Sequence, residues 1–181
     1  MNTLSPQQTI FARYGNVLKY PRPELGNALH DLRTLLASEH NASAQKVEPF
    51  IHLMEGTNLD ALEEHYTRAF DLSPLAVPYL SVYLFGAENP QRGRFMAGLV
   101  GAYSEAGFEW GSELPDHLSV TLQYAAKAPE EEWNEFRRMC LPAPIKHMCL
   151  GLQEAGNPYQ HLLLSLQCYL DHINVGEMTH V

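Results

Sequence analysis

Apolar residues recur along almost the whole chain at the spacing of an amphipathic helix. The first such stripe, in residues 10–18, follows Ser5 and Pro6, which suit a helix cap and a first-turn proline. Another, in residues 59–70, follows a candidate cap, Asn58, and carries Glu64 and Arg68 one turn apart. The pattern therefore predicts helices with defined ends over these two segments.

The segment 73–86, SPLAVPYLSVYLFG, is ambiguous between strand and helix. Its Val, Tyr and Phe residues would suit a buried strand, but Pro78 would remove a hydrogen-bond donor from a sheet. Four of its residues instead fit one face of a helix: Tyr79, Leu80, Tyr83 and Leu84. We therefore predict that this segment is helical.

The second half of the chain carries clear helix starts and stops. Asn89 and Pro90 precede a long helix that should end at Gly107, and Pro129 with three following glutamates should start another. The sequence Gly156-Asn157-Pro158 indicates a stop and a restart. With no convincing strand and no linker rich in Gly or Ser, we predict an all-α fold, a single globular bundle of about nine helices in one domain over residues 1–181.

The charge of the chain limits its partners. Twelve Lys and Arg residues stand against 21 Asp and Glu, so the formal net charge is −9. Such a surface repels phosphate backbones, and we predict no nucleic-acid partner. A basic peptide would be attracted instead.

The cysteines and the apolar runs bear on where the protein works. Three cysteines, Cys140, Cys149 and Cys168, are too few for a disulfide framework and favour a reducing cytoplasm. We see no signal peptide and no apolar run long enough to cross a bilayer, so we predict a cytoplasmic protein without stable membrane insertion.

The segment ELPDH, from Glu113 to His117, has the residue types of a chemical site. Two carboxylates and a histidine could act as general acid and base, whereas a simpler interpretation makes Asp116 the cap or first-turn anion of the next helix. The chain shows no nucleophile arrangement, phosphate loop or dinucleotide fingerprint around it. A catalytic assignment therefore lacks its other parts.

A metal site is the second chemical alternative. Cys140, His147 and Cys149 are close in sequence, and Cys168 and His172 would share a helix face, but neither group completes the ligand spacing of a zinc site. We predict no metal site and no cofactor. A small α-helical metal-dependent enzyme that uses Asp116 and His117 remains the alternative function, and a scaffold or regulator that binds an unrelated basic protein is a third.

Four segments in register carry a resemblance to a known family: HYTRAFDLSPLAVPYLSVYLFG, NPQRGRFMAGLVGAYSEAGFE, ELPDHLSVTLQYAA and LGLQEAGNPYQHLLLSL. Together they resemble the NarJ branch of the NarJ/TorD/DmsD chaperones, the redox enzyme maturation proteins, over about residues 59–170. The family signature is matched by Glu113, Pro115, Asp116 and His117. Further matches are Phe70 with Asp71, and Arg92 and Gly93 followed by Met96, Tyr103 and Gly107.

The resemblance implies an all-helical cytoplasmic chaperone without catalytic activity. Such proteins bind the N-terminal segment of the catalytic subunit of a molybdenum oxidoreductase. They hold it until the bis-molybdopterin guanine dinucleotide cofactor is inserted, and molybdenum-cofactor biosynthesis proteins are further partners that it suggests. The identity of the client, and whether it is exported, stay open.

We expect a client to lie in a groove between helices, with acidic residues of the groove facing its basic residues. The residues predicted to bind it are Tyr79, Tyr83, Arg92, Met96, Tyr103, Asp116, His117 and Tyr124. Because a histidine ordinarily titrates near neutral pH, a further hypothesis is that His117 makes client affinity depend on pH.

Overall fold

Ten α-helices make up most of the protein in a computed structural model that describes residues 4–178, with side chains to residue 176. Within that range, extended backbone pairs in one isolated antiparallel bridge, between Tyr79 and His117. The predicted all-α fold is confirmed, with ten helices where about nine were expected. Their bounds are α1 Pro6–Val17, α2 Leu25–Glu39, α3 Asn41–Glu55, α4 Leu59–Phe70, α5 Leu80–Phe85, α6 Gln91–Glu105, α7 Leu118–Tyr124, α8 Glu130–Cys140, α9 Pro142–Glu154 and α10 Gln160–Met178.

The helix ends that depend on local sequence lie where the pattern predicts them. The Ser5 hydroxyl accepts a hydrogen bond from the Gln8 backbone N–H at 3.2 Å, and the Asn58 side-chain oxygen, Oδ1, accepts one from the Ala61 N–H at 2.9 Å. Gly107 ends α6 with a φ of +60°, and the Phe108 N–H donates to the Tyr103 carbonyl across this turn at 2.8 Å. Glycine adopts this left-handed conformation without strain.

The prediction of a helix over residues 73–86 is wrong in its first half. Helix α5 begins only at Leu80, and the backbone before it is extended at Pro78 and Tyr79. Proline disfavours helical backbone in the residue before it, and the Pro78 carbonyl accepts a hydrogen bond from the Leu118 N–H at 2.7 Å. Pairing with a segment about 40 residues away along the chain therefore replaces the first turns of the expected helix.

The chain divides into two compact units. Unit 1 comprises Met1–Lys19 and Pro78–Pro144 and contains α1, α5, α6, α7 and α8. Helix α1 packs against α7 so closely that a Cβ atom at Gly15 would lie 2.7 Å from the Gln123 backbone nitrogen. The Gln8 side-chain amide donates to the Ala125 and Ala128 carbonyls at 3.0 and 2.8 Å, which holds the start of α1 to the chain after α7.

Unit 2 comprises Tyr20–Val77 and Ile145–Val181, and within it α3 packs against α2 and α10. The buried Ser165 hydroxyl of α10 donates to the Ser43 carbonyl of α3 at 2.6 Å. An aromatic cluster fills the unit, with the Tyr159 ring 4.9 to 5.5 Å from its three neighbours Phe50, Tyr66 and Phe70. That the two units form one domain over residues 1–181 stays a prediction.

Candidate functional site

Asp116 is completely buried and holds the start of α5. Its Oδ2 atom accepts hydrogen bonds from the Ser81 hydroxyl at 2.5 Å and from the Ser81 backbone N–H at 3.2 Å. Its backbone carbonyl accepts a third from the Leu80 N–H at 3.0 Å. Leu80 and Ser81 are the first residues of α5, so Asp116 satisfies the free N–H groups at that helix end. The prediction that it opens the following helix is wrong.

Arg92 extends this network to α6. Its Nε atom donates to the Ser81 hydroxyl oxygen at 2.9 Å, and its Nη1 atom donates to the Ala87 carbonyl at 2.7 Å. The Ser81 hydroxyl thus accepts from Arg92 while it donates to Asp116. The three side chains, which we call the Asp116 network, tie α5, α6 and the segment before α7 together. Sequence reasoning selected Asp116 and Arg92 but missed Ser81.

His117 caps α7 from a buried position. The Ser119 N–H donates to its Nδ1 atom at 3.2 Å, so this nitrogen must be unprotonated. Burial lowers the pKa of His117 to about 4, against an opposing effect of the Asp116 charge. The expected titration of His117 near neutral pH is therefore wrong. Its ring contacts that of Tyr79 edge to face, at 5.5 Å between centroids.

Tyr103 and Tyr124 belong to a buried aromatic cluster beside this segment. The Tyr103 hydroxyl donates to the Pro115 carbonyl at 2.8 Å, and burial raises its pKa well above the ordinary value. Its ring lies 4.6 Å from Tyr124 and 5.1 Å from both Phe108 and Trp110, measured between centroids. An open pocket of about 500 Å³ borders the cluster, and sequence reasoning did not anticipate it.

The exposed side of unit 1 presents a row of aromatic rings on three helices. Phe85 of α5 lies 5.6 Å from Phe95 of α6, which lies 6.4 Å from Phe136 of α8, between ring centroids. Phe85 is 36% exposed, the other two are half-buried, and Met139, one turn beyond Phe136, is 73% exposed. We call these four side chains the aromatic face. An exposed apolar row on a soluble helix surface is typical of an interaction site.

The residues predicted to bind a client therefore fall into two groups within unit 1. The partly exposed group consists of Tyr79, Tyr83, Arg92 and Met96. The buried group consists of Tyr103, Asp116, His117 and Tyr124. The first group can contact a partner directly, whereas the second has little surface to offer. None of Phe85, Phe95 and Phe136 was predicted as a binding residue, because an aromatic at helical spacing is usually part of the core.

The remaining signature residues have structural surroundings. Phe70 is buried in the aromatic cluster of unit 2, where the exposed Asp71 follows α4. Gly93 lies exposed on α6 with open space around it. Glu113 is exposed while its backbone carbonyl accepts a hydrogen bond from the Trp110 indole N–H at 3.1 Å, and Pro115 is buried. Phe70 and Asp71 thus belong to unit 2, whereas the other signature residues belong to unit 1.

The residues of the metal alternative do not form a ligand set. Among the described residues, no group of three or more His, Cys, Asp or Glu side chains is placed to hold a metal ion. All three cysteines are free of disulfide bonds, and burial raises the pKa of the Cys149 thiol to about 12. No helix in the described range is long and apolar enough to cross a bilayer.

Comparison with known proteins gives a family match over most of the chain. The family described as nitrate reductase delta subunit matches residues 22–164. A Bacillus subtilis protein designated "Probable nitrate reductase molybdenum cofactor assembly chaperone NarJ" is 29% identical over 181 residues, 98% of this chain and 96% of its own length. The nitrate reductase molybdenum cofactor assembly chaperone NarJ of Escherichia coli K12 is 29% identical over 120 residues, and the match spans 64% of this chain but only half of that protein.

A solved structure has the same fold. The crystal structure of a protein designated "Putative Redox Enzyme Maturation Protein" from Archaeoglobus fulgidus superposes with a TM-score of 0.62 at 18% identity. The superposition covers 94% of this chain and 96% of that one. At this identity the likeness establishes the fold of the chain.

Proposed function

Because the chain belongs to the nitrate reductase delta subunit family, we propose that it is the assembly chaperone of a nitrate-reductase-like molybdenum enzyme. It binds the N-terminal segment of the catalytic subunit and holds it while the bis-molybdopterin guanine dinucleotide cofactor is inserted. It then releases the subunit and transforms no substrate itself. The relatives in Bacillus subtilis and Escherichia coli are named as assembly chaperones, not as enzymes.

The observation that carries this proposal is the aromatic face. Three phenylalanines and an exposed methionine on α5, α6 and α8 offer an apolar strip to the apolar side of a helical peptide. Methionine and aromatic side chains suit a surface that accepts a helical guest, since one adapts its shape and the other contributes large contact area. Helix α8, which carries Phe136 and Met139, also carries the exposed glutamates Glu131 and Glu135, which suit basic residues of the client.

The Asp116 network gives the buried signature residues a role in this binding. Phe85 stands on α5 and Phe95 on α6, the two helices that Ser81 and Arg92 join through their hydrogen bonds. Fixing these helices before the client arrives reduces the ordering that binding requires. Asp116 is thus a positioning residue, as is His117, which caps α7 and packs against the Tyr79 ring. The predicted binding residues that touch the client are Tyr79, Tyr83, Arg92 and Met96.

We propose that the protein works in the cytoplasm. The proteins that synthesise the molybdenum cofactor would deliver it there and are further partners. The three free cysteines agree with a reducing compartment.

Peptide titration tests the binding claim. The probe is a synthetic peptide of about the first thirty residues of the nitrate reductase catalytic subunit from the same organism. Its binding to the protein is measured by isothermal titration calorimetry. We expect the wild-type protein to bind it and Phe95→Ala to bind it roughly tenfold more weakly or worse, since an aromatic anchor commonly contributes this much.

A matched variant controls for the loss of any exposed apolar side chain. Leu72 is 78% exposed and belongs to unit 2, so Leu72→Ala should bind the peptide like the wild type. Circular dichroism and the melting temperature show whether each variant keeps its fold. Absence of binding by the wild-type protein, or equal binding by Phe95→Ala, would overturn the proposal.

A second experiment separates a chaperone from a scaffold that merely binds the enzyme. In a strain without this gene, the purified catalytic subunit should lack molybdenum cofactor, and the wild-type gene should restore it. Phe95→Ala should restore much less cofactor than Leu72→Ala. A full cofactor content in the deletion strain contradicts the assembly role even if the peptide binds.

A further inference from the structure

An open pocket of about 500 Å³ lies at the C-terminal end of α6, and we call it the α6-end pocket. Its volume lies in the range of ligand-binding pockets. The walls come from the last turn of α6 and the loop that follows. The lining residues are Tyr103, Ser104, Gly107, Phe108, Glu109, Trp110 and Gly111.

The electrostatic character of the pocket favours a cation. The C-terminal end of a helix carries partial negative charge, and Ser104 and Gly107 place the pocket at the end of the 15-residue helix α6. Glu109 adds an exposed carboxylate, and no lysine, arginine or histidine is part of the lining. Two further exposed glutamates, Glu105 and Glu113, lie within a few residues along the chain.

The aromatic lining favours the same class of ligand. Phe108 and Trp110 both contact Tyr103 edge to face, at 5.1 Å between centroids, so their rings hold fixed orientations. The Trp110 indole is further held by its hydrogen bond to the Glu113 carbonyl. Tryptophan, tyrosine and phenylalanine rings attract cations through their electron-rich faces, and tryptophan does so best.

Two glycines form part of the pocket wall. Gly107 and Gly111 have φ values of +60° and +84°, which side chains other than glycine rarely adopt. A Cβ atom at either position would meet nothing within 4 Å, so this part of the wall borders free space.

We propose that the α6-end pocket binds an arginine side chain of the client segment. This inference rests on the proposed function for its partner, although the pocket and its chemistry stand apart from the aromatic face. A guanidinium fits better than an ammonium, because it stacks flat on aromatic rings while its N–H groups reach a carboxylate. The pocket would thereby select client segments with an arginine at a fixed position.

The first test uses a small probe and does not depend on any client. Acetyl-arginine amide and its neutral analogue acetyl-citrulline amide are titrated while the two tryptophan indole N–H signals are followed by NMR. We expect the arginine probe to shift the Trp110 signal saturably and to bind about tenfold more tightly than the citrulline probe. Trp133 is buried and should not respond.

A matched pair of substitutions locates the charge that matters. Glu109→Gln removes the carboxylate in the lining, and it should weaken the arginine probe roughly fivefold. Glu88→Gln makes the same change before the opposite end of α6, about 20 Å away by helix geometry, and should leave the probe's affinity unchanged. Equal shifts with both probes, or a Glu109→Gln protein that binds like the wild type, overturn the inference.

The second test uses the client peptide with each arginine replaced in turn by citrulline. One of these replacements should weaken the peptide's binding to the wild-type protein about tenfold. The same replacement should weaken binding to the Glu109→Gln protein clearly less, because the loss of the arginine and the loss of the Glu109 carboxylate remove the same interaction. If the peptide binds but no arginine is coupled to Glu109, this inference fails and the proposed function stands. If the arginine probe binds but the peptide does not, the proposed function fails and the client as the source of the arginine fails with it, while the pocket's affinity for a guanidinium stands.

Discussion

At the scale of single residues, the buried carboxylate of Asp116 joins the start of α5 to α6 through Ser81 and Arg92. One oxygen, Oδ1, is buried and accepts no hydrogen bond from the described residues, which costs about 1–3 kcal/mol in a typical protein. The other oxygen holds two donors of Ser81 and, through it, Arg92. The unfavourable burial is thus offset by a network that fixes α5 against α6.

The sequence identified these positions but could not assign their roles. Asp116 lies 35 residues from Ser81, and Arg92 lies 11 residues from it, so the network exists only once the chain has folded. A local reading could see only that an aspartate before a helix often caps that helix, which is why it assigned Asp116 to α7. The same limit applies to His117, since its low pKa comes from burial that the local sequence does not reveal.

We predict that His117 makes the stability of the protein depend on pH below neutrality. Its pKa falls from the ordinary value of 6.5 to about 4 in the folded protein, so the unfolded chain takes up a proton first as the pH falls. The neutral, buried His117 therefore contributes fully to the free energy of unfolding above about pH 6.5. Between pH 6.5 and pH 4 this contribution falls by about 3 kcal/mol. Urea unfolding from pH 7 to pH 4 measures it.

The variant His117→Asn isolates this effect from the other titrating groups. Asparagine is a good helix cap and can still accept from the Ser119 N–H, but it does not titrate. Subtracting the free energy of unfolding of the variant from that of the wild type should leave a difference that falls with decreasing pH. A difference in unfolding free energy that stays constant from pH 7 to pH 4 contradicts the burial of a neutral imidazole. The same low pKa also means that client affinity should not change between pH 6.5 and 8 in either protein.

At the scale of elements, helix ends set by neighbouring residues were predictable and ends set by distant residues were not. The caps at Ser5 and Asn58 and the glycine end of α6 depend on residues at most five positions apart. The backbone at Pro78 and Tyr79 instead pairs with the segment around His117. Helical periodicity alone therefore predicted too long a helix α5. The α6-end pocket was missed for another reason: a loop forms most of its wall, and the spacing of apolar residues does not predict the shape of a loop.

The contact between α1 and α7 yields a prediction about stability. A Cβ atom at Gly15 would lie 2.7 Å from both the Gln123 nitrogen and the Ser119 oxygen, which are backbone atoms and cannot rotate away. We expect Gly15→Ala to lower the free energy of unfolding by about 1–3 kcal/mol, because overpacking outweighs the better helix propensity of alanine. Thermal and urea unfolding followed by circular dichroism measure this loss.

Gly98→Ala is the matched control for that substitution. Gly98 lies exposed within α6, and a Cβ atom there meets nothing within 4 Å. The same chemical change should therefore stabilise the protein by about 0.5–1 kcal/mol. Opposite signs at the two glycines confirm the close helix contact, whereas a gain at both positions means that α1 and α7 do not approach as closely as described.

At the scale of the whole molecule, the family and the all-α fold were accessible from the sequence because several short segments occur in a fixed order. No single segment was sufficient, since the ELPDH motif alone also fits a helix start or a catalytic pair. The residues that face solvent were harder to predict, because helical spacing places an aromatic on a face without telling whether another helix covers it. Phe95 and Phe136 illustrate this limit, as both have the spacing of core residues yet remain half-buried on the aromatic face.

The overall charge leads to a last prediction, on the rate at which a client binds. With a formal net charge of −9, the protein should attract a basic client segment over a distance that salt shortens. We expect the association rate constant to fall about tenfold between 20 and 300 mM NaCl, with little change in dissociation, because rim charges act mainly on the encounter. Stopped-flow fluorescence gives both constants. Changing the exposed Glu130, Glu131 and Glu132 together to Gln should make the association rate constant less dependent on salt. If the rate constant of the wild-type protein does not change with salt, apolar contact alone selects the client.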